Sequence, residues 1–256
     1  MLSLWRVKTP RRYSLTVSMR EEWWAETKRQ NRAGIRDAAQ RLFAERGFES
    51  VTVAEIAAEA SVAAQTLFNH FTTKEDLFFD GRAPWVDGPA NAVGTRPLHI
   101  PPLTALRTYL AEAARETVRF EDTLEGRSFT RSVQASAALS AGERELVHQA
   151  ELRLGEALAR AWADGVPGAP STEIEGPCLA SLIAATWLAA VRVLVVAQRP
   201  VRGGGEARAA RVAEAADRVL RGLHDGLLVH LEDPVPSSRD CPADRDAPRG
   251  TAQAAL

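Results

Sequence analysis

The stretch TVAEIAAEASVAAQTLFNHF, residues 52–71, is the part of the chain from which the rest can be read. Thr52 followed three residues later by Glu55 is a capping-box pair: the hydroxyl can accept from a first-turn N–H, and the carboxylate can reach back to the cap N–H. Val53, Ile56, Ala57 and Ala60 then form the apolar stripe of a helix of about two turns. After Ser61-Val62, a second short helix carries Ala64, Leu67, Phe68 and Phe71 at i, i+3, i+4 and i+7, expected to point inward. Its other face shows Ala63, Gln65, Thr66, Asn69 and His70. Small residues at the start of such a helix let the backbone approach a major groove, where amides and hydroxyls meet base edges or phosphates.

Before this stretch, Ile35, Ala38, Ala39, Leu42 and Phe43 place the apolar groups of a preceding helix on one face. Gly47 supplies a left-handed residue to end that helix, and Phe48 can fold back onto its last turn. Downstream, Thr73 caps a further helix, with Asp76 three residues on and Lys74 placed to pair with a phosphate.

Together these residues read I-x-x-A-A-x-x-L-F-x-x-x-G-F from Ile35, V-T-V-x-E-I-A from Val51, and V-x-x-x-T-L-F-x-H-F-x-x-K-E-D-L from Val62. Over roughly residues 28–80 the chain resembles the amino-terminal domain of TetR-family transcriptional regulators. The resemblance implies an all-α homodimer, with one reading helix of each subunit in successive major grooves and a variable carboxy-terminal domain that binds an inducer. Carried over residue by residue, it implies phosphate contacts at Thr52, Thr66, His70 and Lys74, with Arg32 a further candidate, and base reading around Ala63, Ala64, Gln65 and Asn69. Two positions depart from the family pattern. Phe68 stands where many relatives have tyrosine, which removes a phosphate hydrogen bond. Ser61 stands where glycine is usual, and a positive φ there costs about 1 kcal/mol.

The 256 residues, 45% of them hydrophobic, can bury one large domain or two modest ones. A net charge of −1 supplies no global attraction to nucleic acid, and over residues 28–80 the charges nearly cancel, so any DNA contact has to be local. Residues 1–18 hold Arg6, Lys8, Arg11 and Arg12 and no acid, and read as a flexible basic leader able to add phosphate or minor-groove contacts. Residues 19–80 then form the helix-turn-helix domain and 81–102, with its glycines and prolines, a connection. Residues 103–231 form a helical domain for effector binding and dimerisation, and 232–256 a disordered tail.

Within the larger domain, Ser140 with Glu143 suggests a capping box opening one helix, and Gly176-Pro177 opens another over 177–198. That second helix is long enough to span a bilayer. Arg192, together with diluting Ala, Ser and Thr, favours a fully buried soluble helix, so no membrane partner is expected. The last two helices are expected to form the homodimer interface. Phe120, Phe129, Trp162 and Trp187 are the aromatic residues expected to line an effector cavity.

Cys178 and Cys241 build no disulfide framework, and the chain does not open like a secretory signal, which together suit a reducing cytoplasm. His148, His224 and His230 lack metal-ligand spacing, so neither metal nor cofactor is expected. No nucleophile elbow, phosphate loop or dinucleotide fingerprint occurs, which leaves an enzyme without positive support. The reading is a sequence-specific regulator, a repressor released from a palindromic operator in double-stranded DNA by a small-molecule effector still to be identified. The alternative is a helical small-molecule-binding protein or enzyme that keeps the helix-turn-helix as a scaffold.

Overall fold

A computed structural model describes residues 12–163, 176–199 and 204–232, and every regular element among them is an α-helix. The expected tail, 232–256, lies outside the described residues beyond its first position.

Helix α1, Arg12–Arg46, runs for 35 residues. No Pro or Gly occurs between Pro10 and Gly34, so nothing in the sequence stops the helix from propagating backwards. Residues 12–18, expected to be flexible, therefore belong to α1, while 1–11 lie outside the described residues. Ile35, Ala38, Ala39, Leu42 and Phe43 are buried as their spacing requires. Gly47, at φ +82°, turns the chain so that Phe48 packs on Phe43 with ring centroids 5.2 Å apart. Three short helices follow: α2 Val53–Glu59, α3 Ala64–Phe68 and α4 Lys74–Phe79.

The segment expected to be a plain connection contains helix α5, Gly88–Gly94, whose Val93 is fully buried against Leu103 and Leu106. Pro89 is buried beside it, and Ala90 packs against the same core. Helices α6 Pro102–Asp122, α7 Leu124–Ala135, α8 Ala137–Ala163, α9 Gly176–Ala197 and α10 Gly205–Glu232 build the larger bundle. In it α10 lies along α6 and α8 along α9.

Helix α8 opens one turn before the expected capping box. Ser136, not Ser140, is the capping hydroxyl: it accepts from the Leu139 N–H at 3.3 Å and donates to the Glu49 carboxylate. Ser140 sits inside the helix and donates to the Val133 carbonyl at 2.7 Å.

Helix α9 has a mean hydropathy of 2.1 over its most apolar window, enough by length and composition to cross a membrane. It is not fully buried as expected. Leu179, Ala180, Ile183, Ala184 and Trp187 form one packed face, while Leu182 and Val193 remain 52% and 61% exposed.

The two halves of the chain share a core. Residues of α1–α4 pack with Val133 of α7 and Leu139 of α8, and the Phe129 ring stacks on Phe78 at 5.0 Å and 14°. Arg82 lies over both rings, 5.7 Å and 5.8 Å from their centroids, and pairs with Glu125 at 3.1 Å.

Candidate nucleic-acid interface and adjoining cavity

The capping boxes at Thr52 and Thr73 form as the i, i+3 spacing demands. Thr52 Oγ1 accepts from Glu55 N–H at 3.2 Å, and Glu55 Oε2 accepts from both the N–H and the hydroxyl of Thr52, at 2.8 Å and 2.7 Å. These bonds, led by the one from the backbone N–H, hold the Glu55 carboxyl below its ordinary range. The Thr52 hydroxyl proton is thus already engaged, and a phosphate at this position would have to compete with Glu55.

Between α2 and α3 the chain makes a Schellman turn. The Val62 N–H reaches the Ala57 carbonyl at 2.9 Å and the Ser61 N–H reaches Ala58 at 3.0 Å, which places Ser61 at φ 54°. Serine pays the left-handed cost that glycine avoids. Ser61→Gly is therefore expected to raise stability by up to about 1 kcal/mol, seen as a higher midpoint in thermal denaturation with the same helical signal.

Helix α3 turns Leu67 inward, followed by Phe71 just beyond its end, both essentially buried. Ala64 and Phe68, expected to point inward with them, do not: Ala64 is exposed and Phe68 is 51% exposed. In a helix of five residues, two anchors one turn apart fill the contact with α1 and α2, and the flank carrying Ala64 and Phe68 turns to solvent. The outward surface thus gathers Ala63, Ala64, Gln65, Phe68 and Asn69, with Thr66 and His70 half-buried at its edge. Gln65 donates to the side-chain oxygen of Asn69 at 3.3 Å, aligning two amides one helical turn apart.

The cations around this surface differ in how far they are committed. Arg32 stacks 4.2 Å from the Phe71 centroid, donates to the His70 carbonyl at 2.7 Å and pairs with Asp80 at 2.5 Å. Lys74 carries its ammonium 4.2 Å from the Phe48 centroid and has no carboxylate in salt-bridge contact among the described residues. The pKa of His70 is pushed below the ordinary histidine range, first by partial burial and then by the positive charges of Lys28 and Arg32.

In the helical bundle a cavity of about 150 Å³ opens, walled by Leu110 and Ala114 of α6, Val147 and Ala150 of α8, and Leu188 and Val195 of α9. Its charged groups are Glu143, Arg192 and Arg199, of which Arg199 is paired with Glu121 at 2.9 Å. Tyr109, also on the wall, has its hydroxyl pKa raised, chiefly by burial. Phe120 and Phe129 line a neighbouring cavity of about 550 Å³ that shares Tyr109, Thr117, Glu143 and Arg199 with the first. Trp162 and Trp187, expected on a cavity wall, instead lie in the packed core of α6, α8 and α9. Inward spacing marks a side chain as buried but does not distinguish packed from cavity-facing. Glu143, Arg192 and Trp85 are cavity residues that periodicity did not point to, because they sit off the apolar stripes.

Capped helices α2 and α4 flank α3, whose outward face mixes two amides with small and apolar side chains, and the arrangement is that of a helix-turn-helix beside a helical bundle. Residues 35–80 match the amino-terminal domain of the bacterial regulatory proteins of the tetR family. That match assigns residues 35–80 to the tetR family's amino-terminal domain and does not extend to the helical bundle. Similar solved structures include SmeT, the repressor of the Stenotrophomonas maltophilia multidrug efflux pump SmeDEF, at 20% identity over 80% of this chain and 97% of that one, TM-score 0.45. Others are NalD of Pseudomonas aeruginosa, at 18% identity over 75% and 96%, TM-score 0.44, and GusR of Salmonella enterica, at 22% identity over 78% and 96%, TM-score 0.44. No curated protein sequence matches the chain.

Proposed function

We propose that this chain is a ligand-responsive repressor that occupies a palindromic operator as a homodimer. The observation that carries the reading is the outward face of α3, where Gln65 and Asn69 present aligned amides among small residues, the chemistry that pairs with adenine edges in a major groove. Ala63, Ala64 and Phe68 offer apolar contact to thymine methyls beside them, and Thr52, Thr66, His70, Lys74 and Arg32 flank the groove as phosphate contacts.

The exposed apolar stripe of α9, with Leu182, Val193 and Val196, supports a second copy covering that helix together with α10. The apolar cavity walled by α6, α8 and α9 is where a small effector would bind. An effector that favours a different spacing between the paired reading helices releases the operator.

Selecting bound duplexes from a random library tests the reading. Two inverted half-sites about one helical turn apart, or a multiple of that, are expected; recovery of no enriched sequence, or of a single unpaired site, overturns it. The selected site also serves for a pH test. His70 is held neutral by partial burial and by Lys28 and Arg32, whereas a phosphate beside it favours the imidazolium. The complex then takes up a proton, so affinity rises as pH falls from about 8 toward 6. His70→Gln flattens that profile, read by fluorescence anisotropy at constant salt.

A further inference from the structure

Helix α1 continues well beyond the part that packs in the domain. Ile35 is its buried anchor, and Asn31, Lys28, Trp24 and Arg20 lie at 4, 7, 11 and 15 residues before it, on the same face. That face runs out alongside the end of α3. Trp24, Thr27, Lys28 and Asn31 form one wall of a groove of about 400 Å³ whose other wall is Asn69 and His70. The groove is therefore continuous with the reading surface at Asn69.

Lys28 has no salt-bridge partner among the described residues, and its charge is close enough to His70 to disfavour a proton there. Of the acids of this stretch, Glu26 lies on the opposite face and is held by Arg29 and Gln30, whereas Glu21 shares the face of Lys28 two turns before it. Over residues 28–80, seven Lys and Arg stand against eight Asp and Glu, so the domain has no surplus of charge with which to hold a polyanion. An uncommitted ammonium beside the reading face, like that of Lys74, is a group able to supply it.

We infer that the face of α1 ahead of Arg32 is a second DNA-contacting element, in which Lys28 and Asn31 hold backbone phosphates next to the half-site read by α3. The inference rests on the DNA-binding reading above. Its partner is the sugar–phosphate backbone of duplex DNA, bound without regard to sequence, with Lys28 as the charge and Asn31 as a neutral donor.

The test uses the full chain and the duplex selected from the random library, with affinity measured across a salt series. Lys28→Ala is expected to reduce the slope of log affinity against log salt by about 0.9, the value of one lost phosphate contact on duplex DNA. It weakens binding to the selected site and to unrelated DNA by the same several-fold factor. Asn31→Ala weakens both without changing the slope. Gln65→Ala, in contrast, weakens only the selected site and keeps the slope, which separates backbone holding from base reading. Since Lys28 holds no ion pair, its removal leaves the thermal midpoint unchanged. Wild-type binding accompanied by an unaltered affinity and slope in Lys28→Ala overturns this inference alone. A wild-type chain that binds no duplex overturns the DNA reading itself, and this inference with it.

Discussion

Alanine at both Gln65 and Asn69 lowers affinity for the selected operator by about 2–6 kcal/mol, roughly 30-fold to 10⁴-fold, while binding to unrelated DNA is unchanged. The size follows from what each amide can do: a bidentate pairing with a base edge contributes about 1–3 kcal/mol of discrimination, and two such positions on one helix face act on neighbouring bases. Both side chains are exposed and their one internal bond, at 3.3 Å, links them to each other, so nothing else in the fold depends on them. The double variant is accordingly expected to melt with the wild type. Competition of the selected site against random duplex, read by gel shift, separates this outcome from a general loss of binding. Equal loss on both DNAs would place Gln65 and Asn69 on the backbone and take base reading away from α3.

Trp187→Ala is expected to destabilise the bundle by about 3–5 kcal/mol, a large part of the 5–15 kcal/mol that holds a typical domain together. Trp187 is fully buried in the core shared by α6, α8, α9 and α10, with its ring edge-on to His224 at 6.4 Å. Alanine removes one of the two largest side chains of that core, and the surrounding close-packed helices relax only partly into the gap. Chemical denaturation gives the magnitude. An apolar void of this shape also binds small aromatic molecules, so added indole should raise the midpoint of the variant more than that of the wild type. A loss below about 1 kcal/mol would show that the position is loosely packed and belongs to a cavity after all.

How far the chain could be read from its residues depended on the range of each interaction. The capping boxes at Thr52 and Thr73 join groups three residues apart, and the local spacing contains all the information they need. The left-handed strain at Ser61 came from the family resemblance, which puts glycine at that position, and not from the spacing of the chain's own residues. The start of α8 was not legible. Ser136 and Ser140 are both plausible caps, and the choice falls to Ser136 in part through Glu49, a partner 87 residues away. The orientation of Phe68 was missed because a five-residue helix has too few positions for periodicity to locate the edge of its buried stripe. In the bundle, Trp162 and Trp187 were expected on a cavity wall for their aromatic character, yet they fill the packed core and the 150 Å³ cavity opens elsewhere, between α6, α8 and α9. The partner that competes with a phosphate for Arg32, Asp80, lies 48 residues further on and is out of reach of any local pattern.

The stack of Phe129 on Phe78, with Val133 and Leu139 completing the same core, bears on how this protein could be taken apart. A cut after Asp80 would leave Phe78 and Phe79 without the rings and methyl groups that now cover them, and the excised fragment would trade a folded surface for a sticky one. The DNA-reading portion is therefore not a cassette to be grafted onto another sensor at its apparent boundary. A working chimera has to carry α7 and the first turns of α8 along with it, and the seam belongs past Leu146.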